Sequence, residues 1–277
     1  MYYLTQNERL DYLLEEFKKD SVQYADLRNP SDVNGKRRLL RSLMNIRMPA
    51  GMKEEVLEVQ NRYLKERIRE NGVVKRQDIP TAADMGSRHD FAEMIAIWQG
   101  DITRLAVGAI VNAANSRMLG CFIPMHTCID NCIHTYAGIQ LRYECNRQMN
   151  KLRSIYGSDY RQPVAVPMLT DGYNLPAEKI VHVVGPTVTG KLTEELKQQL
   201  ADCYRNTLDI CRDNGISTVA FCCISTGVFR FPNKSAAEIA VQTVTGWLKD
   251  HPGKMSKVIF NVFKDEDRKL YEEQLQQ

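Results

Sequence analysis

Two thiols and an imidazole stand close together in the middle of this sequence. Cys121, His126 and Cys128 form a Cys-x4-His-x-Cys pattern, which follows neither a helical nor a strand period. Thiolate and imidazole ligands favour Zn²⁺ over hard cations, and three protein ligands leave a fourth position open to water or substrate. The pattern therefore predicts one catalytic zinc ion per chain. A fourth ligand from Cys132 or Cys145 would give a closed structural site instead, and a disulfide-forming redox protein is a further alternative.

An acid and a histidine follow this Cys/His cluster at a spacing of one helical turn. Asp130 and His134 are four positions apart, so they share a face if a helix begins near Ile129. The helix dipole favours Asp130 in the first turn, where it would act on a ribose hydroxyl or a water, or simply cap the helix. We expect His134 to be a buried, hydrogen-bonded histidine rather than a catalyst.

Further polar residues stand where predicted strands end. Asp101 would accept a hydrogen bond from an exocyclic amine, such as that of adenine, or would cap the next turn. Asn112 and Asn115 flank two alanines, and asparagine suits both tight turns and sugar hydroxyls. For one of the pair we expect turn chemistry alone. The last feature is a small-residue loop whose backbone N–H groups suit a phosphate. It comprises Ser225, Thr226, Gly227, Val228 and Phe229.

These residues need a scaffold that brings strand ends together. From Phe91 onward, short β-branched runs alternate with longer amphipathic ones, which predicts an α/β fold with a mostly parallel sheet. The predicted strands are 94–99, 109–111, 164–166, 180–184, 218–222 and 258–262, and the predicted helices are 129–150, 194–214, 234–249 and 265–276. Such sheets bind ligands beyond the carboxyl ends of their strands, where Asp101, Asn115 and Ser225 fall.

The first 90 residues carry helical patterns only. One apolar helical face is formed by Leu10, Leu13, Leu14 and Phe17, and further helices are predicted within 32–48 and 54–68. The helix predicted within 32–48 carries four basic residues, Lys36, Arg37, Arg38 and Arg41. We interpret them as a solvated helix face rather than a site for an acidic partner. Residues 77–90 are polar and contain a proline, which predicts a linker. The predicted organisation is a helical N-terminal extension and linker over 1–90, followed by an α/β domain over 91–277.

Composition argues against several classes of protein. A formal charge of +3 over 277 residues gives no strong field toward nucleic acid or a membrane surface. No apolar run is long enough to span a bilayer. The opening residues carry acids through their apolar part and lack a cleavage-type site, so they do not predict a secretory signal. Eight cysteines without an export signal indicate a reducing, cytoplasmic location.

Taken in order, the motifs resemble those of the macrodomain family. They are 100–103 (GDIT), 109–115 (AIVNAAN), Ile129-Asp130, Ile133-His134, Ala137-Gly138, 173–176 (YNLP), 181–186 (VHVVGP) and 224–229 (ISTGVF). Where ordinary macrodomains have a run of glycines, this sequence has 120–128 (GCFIPMHTC), which carries the Cys/His cluster. With its helical N-terminal part, the chain resembles the zinc-dependent macrodomain class. These are microbial ADP-ribosylhydrolases encoded beside a sirtuin-type ADP-ribosyltransferase. The implied fold is a three-layer α/β/α macrodomain with a mixed, mostly parallel central sheet.

The resemblance implies how the nucleotide part of ADP-ribose would bind. Asp101 would accept from the adenine amine, with Ile102 beside it. Phe263, after the last predicted strand, would stack on the adenine ring. The loop from Ser225 to Phe229 would wrap the diphosphate.

The resemblance also implies which residues meet the distal ribose, where the bond to the modified protein is broken. Asn112 and Asn115 belong to the expected substrate-binding set, and Asn115 and Asp130 are the expected catalytic residues. The Cys/His cluster would hold zinc against this ribose. Arg230 and Asn131 depart from the family pattern, because each stands where many members have glycine.

The predicted activity is zinc-dependent hydrolysis of the ester-like bond between mono-ADP-ribose and an Asp or Glu side chain of a modified protein. Zinc would orient the ribose hydroxyls or lower the pKa of a bound water, and the diphosphate loop would supply fixed electrostatic positioning. The partners would be ADP-ribose, the modified protein and a sirtuin-type transferase system, without nucleic acid or membrane. The alternatives are a non-catalytic ADP-ribose reader and a deacetylase of O-acetyl-ADP-ribose.

Overall fold

The computed structural model describes residues 4–276 and divides them into two compact units. Unit 1 comprises the described residues up to Gly72 together with Leu119–Ser158 and Tyr173–Leu175. Unit 2 comprises Val73–Met118, Asp159–Gly172 and the described chain from Pro176 onward. The N-terminal helices thus share a unit with later segments of the chain. The predicted division into residues 1–90 and 91–277 stays a prediction. Residues 1–3 and 277 of these two ranges lie outside the described part of the chain.

Unit 1 is helical, as predicted for the N-terminal part. Its first helices are α1 (Gln6–Lys18), α2 (Val22–Ala25), α3 (Val33–Ile46) and α4 (Glu54–Asn71). A capping box starts α1, in which Thr5 and Glu8 satisfy each other's backbone N–H groups. The apolar face predicted for this helix is buried and packs with apolar residues of α3 and α4, among them Leu40, Leu43 and Val59.

Two further helices of unit 1 correct the prediction of one continuous helix over 129–150. They are α5 (Ile129–Ala137) and α6 (Ile139–Tyr156), separated by Gly138. Gly138 has a φ of 98°, a conformation that glycine adopts without strain. A Cβ there would lie 2.7 Å from Gln140 Oε1 and 2.9 Å from Gln60 Nε2. The break therefore depends on the positive φ of Gly138, which a periodicity argument does not detect.

Unit 2 is built on a six-stranded mixed sheet. Its strands are β2 (Ile95–Gln99), β4 (Ala109–Ala114), β5 (Met168–Asp171), β6 (Lys179–Val184), β7 (Thr218–Cys222) and β8 (Lys257–Val262), in the order β2-β8-β7-β4-β6-β5. All neighbours pair in parallel except β5, which is antiparallel to β6. Two short strands, β1 (Val74–Lys75) and β3 (Leu105–Ala106), pair separately. The predicted α/β fold with a mixed, mostly parallel sheet after a helical N-terminal part is confirmed.

One predicted strand, over 164–166, is wrong. Val164 makes only an isolated bridge to Val184, and Ala165 has a φ of 62°. The edge strand is β5, a few residues later, and it is the antiparallel one. A short apolar run beside a proline could not reveal which of two neighbouring segments joins the sheet.

The helices of unit 2 are α7 (Glu194–Asp213), α8 (Asn233–Asp250) and α9 (Asp265–Leu275). They pack in sequence, with α7 also against β6 and α9 against β2 and β8. The residues of β7 are all buried, and so are nearly all those of β4, β6 and β8, as expected for central parallel strands. Within residues 4–276, no helix is both long and apolar enough to cross a bilayer.

Candidate functional site

The carboxyl edge of the unit 2 sheet gathers the residues predicted to bind a nucleotide. Asp101 follows β2, Asn115 follows β4, Ser225 lies in the loop after β7 and Phe263 follows β8 directly. Because β2, β8, β7 and β4 are consecutive parallel neighbours, these four segments lie side by side at one edge. The spacing of strands in the sequence was sufficient to predict this arrangement.

Asp101 serves as a local cap. Its Oδ1 accepts from the Thr103 backbone N–H at 3.0 Å and from the Thr103 hydroxyl at 2.7 Å. These bonds start the short 3-10 turn Ile102–Arg104, in which Ile102 is buried. The capping interpretation is therefore observed, and it fixes the carboxylate at the end of β2.

The two asparagines of β4 differ in their surroundings. Asn115 lies just beyond the strand, where its Oδ1 accepts from the Arg117 N–H at 3.0 Å and its carbonyl accepts from the Met118 N–H at 2.9 Å. This turn is the one expected of a strand-end asparagine. Asn112 is fully buried inside β4. The turn expected for one of the pair is therefore found at Asn115, and the strand predicted over 109–111 is too short, because it continues through Ala114.

Asn112 belongs to a buried polar row across the sheet. It is the register partner of His182 on β6, and its Nδ2 lies 3.0 Å from His182 Nδ1. On the other side, the Thr170 hydroxyl lies 3.0 Å from His182 Nε2. Complete burial lowers the pKa of His182 from 6.5 to about 3, because an imidazolium would lose its hydration. The histidine is therefore neutral in the folded protein at physiological pH.

The loop after β7 is shaped by two residues in the left-handed region. Ser225 has a φ of 66° and Arg230 a φ of 59°. The Arg230 N–H donates to the Gly227 carbonyl at 3.0 Å, and the Phe231 N–H donates to the Ser225 carbonyl at 3.0 Å. Arg230 thus adopts the kind of backbone conformation that glycine favours, which accounts for glycine being common there in the family it resembles.

This loop also contacts the segment after β6. A Cβ on Gly185 would lie 2.1 Å from Ser225 Oγ, so only glycine fits beside that serine. Farther along, the Val188 N–H donates to the Phe229 carbonyl at 2.9 Å. Two neighbouring strand-end loops therefore fix each other through backbone contacts.

Two large apolar side chains at this edge are exposed. Val228 in the β7 loop is 76 % exposed, and Phe263 after β8 is 77 % exposed. An exposed aromatic ring beside a fixed carboxylate such as Asp101 is suited to stack on a planar group whose amine the carboxylate accepts.

In unit 1, the Cys/His cluster converges as the sequence predicts for a metal site. The Sγ atoms of Cys121 and Cys128 and a ring nitrogen of His126 lie within 4.8 Å of one another. Cys121 Sγ is 3.5 Å from His126 Nδ1. In a tetrahedral site with Zn–S of about 2.3 Å and Zn–N of about 2.1 Å, such atoms stand about 3.6 Å apart. The donor set therefore fits Zn²⁺. None of the eight cysteines, all of which lie in the described part of the chain, forms a disulfide.

Cys128 is both a donor of this cluster and the N-cap of α5. Its Sγ accepts from the Asn131 N–H at 3.4 Å. Burial raises the pKa of Cys128 to about 12, and the charges of Cys121 and Asp130 act in the same direction. A bound cation would reverse this balance in favour of the thiolate. Asp130 itself is buried in the first turn of α5, with its Oδ1 at 3.6 Å from Nε2 of the buried His134.

The segment 119–128, here called the metal loop, is held by side chains from α3 and α5. Arg41 on α3 donates to the His126 carbonyl at 2.8 Å and to Asn131 Oδ1 at 2.9 Å. Asn131 Nδ2 donates to the carbonyls of Cys121 at 3.3 Å and Ile123 at 3.0 Å. On α3, Asn45 Oδ1 accepts from the N–H of Met125, which has a φ of 58°. The N-terminal helices therefore support the loop that carries the cluster.

A single guanidinium joins the start of this loop to the end of α3. Arg142 of α6 is buried, and its ring partner is Phe122, whose centroid lies 4.1 Å from the guanidinium carbon. The guanidinium donates to five backbone carbonyls, those of Leu119, Cys121, Met44, Asn45 and Arg47. Burial lowers the pKa of Arg142 to about 10, so it stays charged at neutral pH. Three of these carbonyls belong to the C-terminal end of α3, where a cation is favourable.

Sequence reasoning missed these supporting residues. Arg41 appeared only as part of a solvated basic face, and Asn45 and Arg142 gave no pattern at all. Asn131 did give a signal, since it replaces the usual glycine next to an unusual loop. The structure gives that departure a physical reason, because the asparagine amide binds the loop that stands in place of the glycine run.

Comparisons with known proteins agree with this architecture. Residues 111–240 match the family model of the Macro domain. A protein-ADP-ribose hydrolase of Treponema medium is 42% identical over 268 residues, which cover 97% of this chain and 98% of that protein. A protein-ADP-ribose hydrolase of Staphylococcus aureus (strain MRSA252) is 40% identical over 266 residues, covering 96% of this chain and 94% of that protein.

Solved structures of macrodomains also superimpose on this chain. The Trypanosoma brucei macrodomain in complex with ADP-ribose superimposes with a TM-score of 0.63 and 27% identity, covering 82% of this chain and 92% of that chain. The Oceanobacillus iheyensis macrodomain with ADP superimposes with a TM-score of 0.59 and 32% identity, covering 68% and 93%. With full-length relatives at 40% identity or more, the chain belongs to the macrodomain family and is a hydrolase.

Proposed function

We propose that this chain is a zinc-dependent hydrolase that removes mono-ADP-ribose from Asp or Glu side chains of a modified protein. Two relatives that match nearly its whole length are named protein-ADP-ribose hydrolases. A structural neighbour binds ADP-ribose. The observation that carries the zinc dependence is the convergence of Cys121, His126 and Cys128 at distances suited to a tetrahedral metal.

The carboxyl edge of the unit 2 sheet supplies the proposed nucleotide contacts. Asp101, held by Thr103 through Oδ1 alone, would present Oδ2 to the adenine amine. Phe263, exposed beside it in the sheet order, would stack on the adenine ring. Backbone N–H groups of the Ser225–Phe229 loop would donate to the diphosphate, since amides fixed in a turn form a concave anion site.

The proposed reaction consumes one water and releases ADP-ribose and the free carboxylate of the modified side chain. Cys121, His126 and Cys128 would hold the Zn²⁺ ion, which would supply Lewis acidity for the reaction. Asp130 would orient a ribose hydroxyl or take up the proton of the attacking water. Asn115 would hold a ribose hydroxyl through its amide, whose orientation its own turn fixes.

The resemblance to the zinc-dependent class supports a sirtuin-type ADP-ribosyltransferase as the enzyme that makes the substrate. The placement of Cys121 and Cys128 as metal donors, which requires reduced thiols, supports a reducing compartment such as the cytoplasm.

The test combines metal analysis with hydrolysis of an Asp/Glu-ADP-ribosylated protein. We expect about one zinc per chain, and we expect chelation to stop release of ADP-ribose until zinc is restored. Cys128→Ala should lose the metal and the release of ADP-ribose together, since one ligand is removed from a three-ligand site. Cys132→Ala is the matched control, because Cys132 lies outside the three-donor cluster, and it should retain both.

Three outcomes would contradict the proposal. Unchanged activity in metal-free protein would exclude zinc dependence. Tight ADP-ribose binding without any hydrolysis would indicate a reader. Faster turnover of O-acetyl-ADP-ribose than of the modified protein would indicate a small-molecule deacetylase.

A further inference from the structure

Unit 1 contains a cavity that is lined largely by the N-terminal helices. The cavity has a volume of about 130 Å³ and is bounded by α3, α4, α5 and Met125 of the metal loop. Its lining includes four arginines, namely Arg37, Arg38, Arg41 and Arg67. Two tyrosines, Tyr63 and Tyr136, and apolar side chains such as Leu40 and Leu64 complete it. The basic face predicted on α3 therefore lines a concave surface instead of merely facing solvent.

Positive charge in this cavity exceeds the negative charge around it. Arg37 Nη2 lies 3.3 Å from Glu70 Oε2, and Arg67 pairs with the same carboxylate oxygen. Glu70 is the single carboxylate within ion-pair distance of the four arginines in the described part of the chain. Arg41 donates to two neutral acceptors, the His126 carbonyl and the side-chain amide oxygen of Asn131. Two of the four guanidinium groups thus pair with the same carboxylate, and no ion pair to Arg38 or Arg41 is found among the described residues.

Two of these arginines also carry buried donors. The Nε atoms of Arg37 and Arg41 are buried and have no acceptor among the described residues. Buried N–H groups are satisfied in most proteins because leaving one unpaired is costly. An anionic group entering the cavity would provide acceptors beside both side chains.

The size and lining of the cavity select the ligand class. A cavity of about 150 Å³ accepts a benzene-sized molecule, so this one suits a single side chain. Guanidinium forks match carboxylates in a bidentate manner. Tyrosine and leucine surfaces suit the methylene stem of a carboxylic side chain, which an inorganic anion lacks.

We propose that this cavity binds an acidic side chain of the protein that carries the ADP-ribose. The proposal rests on the proposed function, because it names a docking site for the same protein substrate. Arg41 lines the cavity and donates to the carbonyl of the cluster residue His126. An acidic segment docked here therefore lies against the support of the metal loop.

The first test measures binding alone, so it does not depend on hydrolysis. A hexaglutamate peptide is titrated into the full-length protein, with a hexaglutamine peptide and inorganic phosphate as comparison ligands. The cavity variant is Arg38→Gln with Arg67→Gln. The control, Lys65→Gln with Arg69→Gln, removes the same charge from exposed positions of α4. Thermal unfolding checks that both variants are folded.

We expect the wild-type protein to bind hexaglutamate but not hexaglutamine. The affinity for hexaglutamate should fall at least tenfold in the cavity variant and less than twofold in the control variant. The proposal is overturned if hexaglutamate does not bind or if both variants weaken it equally. Phosphate binding as tight as the peptide would equally overturn it, because the site would then serve a small anion.

The second test separates this proposal from the proposed function. With the modified protein as substrate, the cavity variant should raise KM at least tenfold and leave kcat unchanged. Its turnover of O-acetyl-ADP-ribose, which has no protein part, should match that of the wild type. An unchanged KM for the modified protein would overturn the docking site. Peptide binding without any hydrolysis would leave it standing and remove the proposed function.

Discussion

The strand-end loops of unit 2 and the metal loop of unit 1 are built by opposite means. Asp101 bonds to Thr103, Asn115 bonds to Arg117, and Ser225 closes its own loop by accepting from Phe231. Every one of these bonds spans a few positions. By contrast, Arg41 and Asn45 reach the metal loop across 85 and 80 positions. The strand-end residues at the carboxyl edge of the unit 2 sheet, here called the nucleotide edge, are therefore oriented mainly by local bonds, to which the backbone bond from Val188 to Phe229 adds one distant contact. The metal loop, in contrast, depends on distant side chains.

This difference assigns a role to the N-terminal helices. Helix α3 supplies Arg41 and Asn45 to the metal loop, and its C-terminal carbonyls accept from Arg142. Side chains that orient a metal-binding segment affect metal affinity without being ligands. Changes in this support should therefore alter stability and metal binding, and changes at the nucleotide edge should alter ligand affinity alone.

The largest effect is expected at Arg142, whose guanidinium joins the start of the metal loop to the C-terminal end of α3. Arg142→Met keeps the stem but removes the charged donor from five backbone carbonyls. The free energy of unfolding should fall by about 3 kcal/mol, since buried acceptors lose charge-assisted hydrogen bonds. Urea unfolding measures the change.

The matched control is Arg147→Met on the same helix. Arg147 is exposed and pairs with Glu144, so its loss should cost less than about 0.5 kcal/mol. Equal effects at the two positions would mean that the Arg142 bonds do not hold the metal loop to α3.

The same contrast explains what the sequence could predict. Strand positions, the strand-end residues and the Cys/His cluster follow from local patterns, and the structure brings each group together. The partners of the metal loop could not be predicted this way, because Asn45 and Arg142 are ordinary helix residues until the fold positions them. Asn131 was visible only as a departure from a family pattern.

Local patterns also failed at particular positions. The helix predicted over 129–150 is interrupted at Gly138, because this glycine adopts a φ of 98° that a helix does not allow. Asn112 sits inside β4, although asparagine favours turns, because His182 and Thr170 complete a polar row around it. The position of Asn112 has a long-range cause that a single segment does not contain.

That polar row lies inside the unit 2 sheet, and acid should weaken it. His182 has a pKa of about 3 in the folded protein and 6.5 when unfolded. Between these values the unfolded chain binds more protons, so stability is full above pH 6.5 and declines as the pH falls. From pH 7.5 to pH 5 this group should remove about 2 kcal/mol from the free energy of unfolding.

Comparison with His182→Gln isolates this contribution. Glutamine retains polar atoms in the row but does not titrate, and the other histidines are common to both proteins. The stability of the variant relative to wild type should therefore rise by about 2 kcal/mol over the same pH range. Parallel pH profiles from urea unfolding would show that His182 is not the source of the dependence.

A smaller effect is expected at Asn131, which tests whether the metal loop needs its support. Asn131→Ala removes the amide that binds the carbonyls of Cys121 and Ile123. Zinc affinity, measured by competition with a chelator, should fall about tenfold, as for other residues that orient metal ligands. ADP-ribose affinity should stay within twofold.

The control for this change is Asn150→Ala, at an exposed position of α6. It should leave zinc affinity unchanged. If Asn131→Ala lowers ADP-ribose affinity as much as zinc affinity, the two regions are not separable in the way their hydrogen bonds suggest.

The smallest effect is expected at Phe263, the exposed ring of the nucleotide edge. Phe263→Ala should weaken ADP-ribose binding about fivefold, near the lower limit for stacking of one base on an aromatic side chain. Stability and zinc content should not change, because the ring is 77 % exposed. Phe263→Tyr retains the aromatic face and should restore affinity, while Val166→Ala, at another exposed apolar position of unit 2, should leave it unchanged. Isothermal titration with ADP-ribose decides the matter: if tyrosine binds as weakly as alanine, the ring does not act by stacking. If Phe263→Tyr binds ADP-ribose as tightly as the wild type while Phe263→Ala binds it weakly, the aromatic face itself contacts the ligand. Such a contact does not require hydrogen bonds from distant helices like those that hold the metal loop.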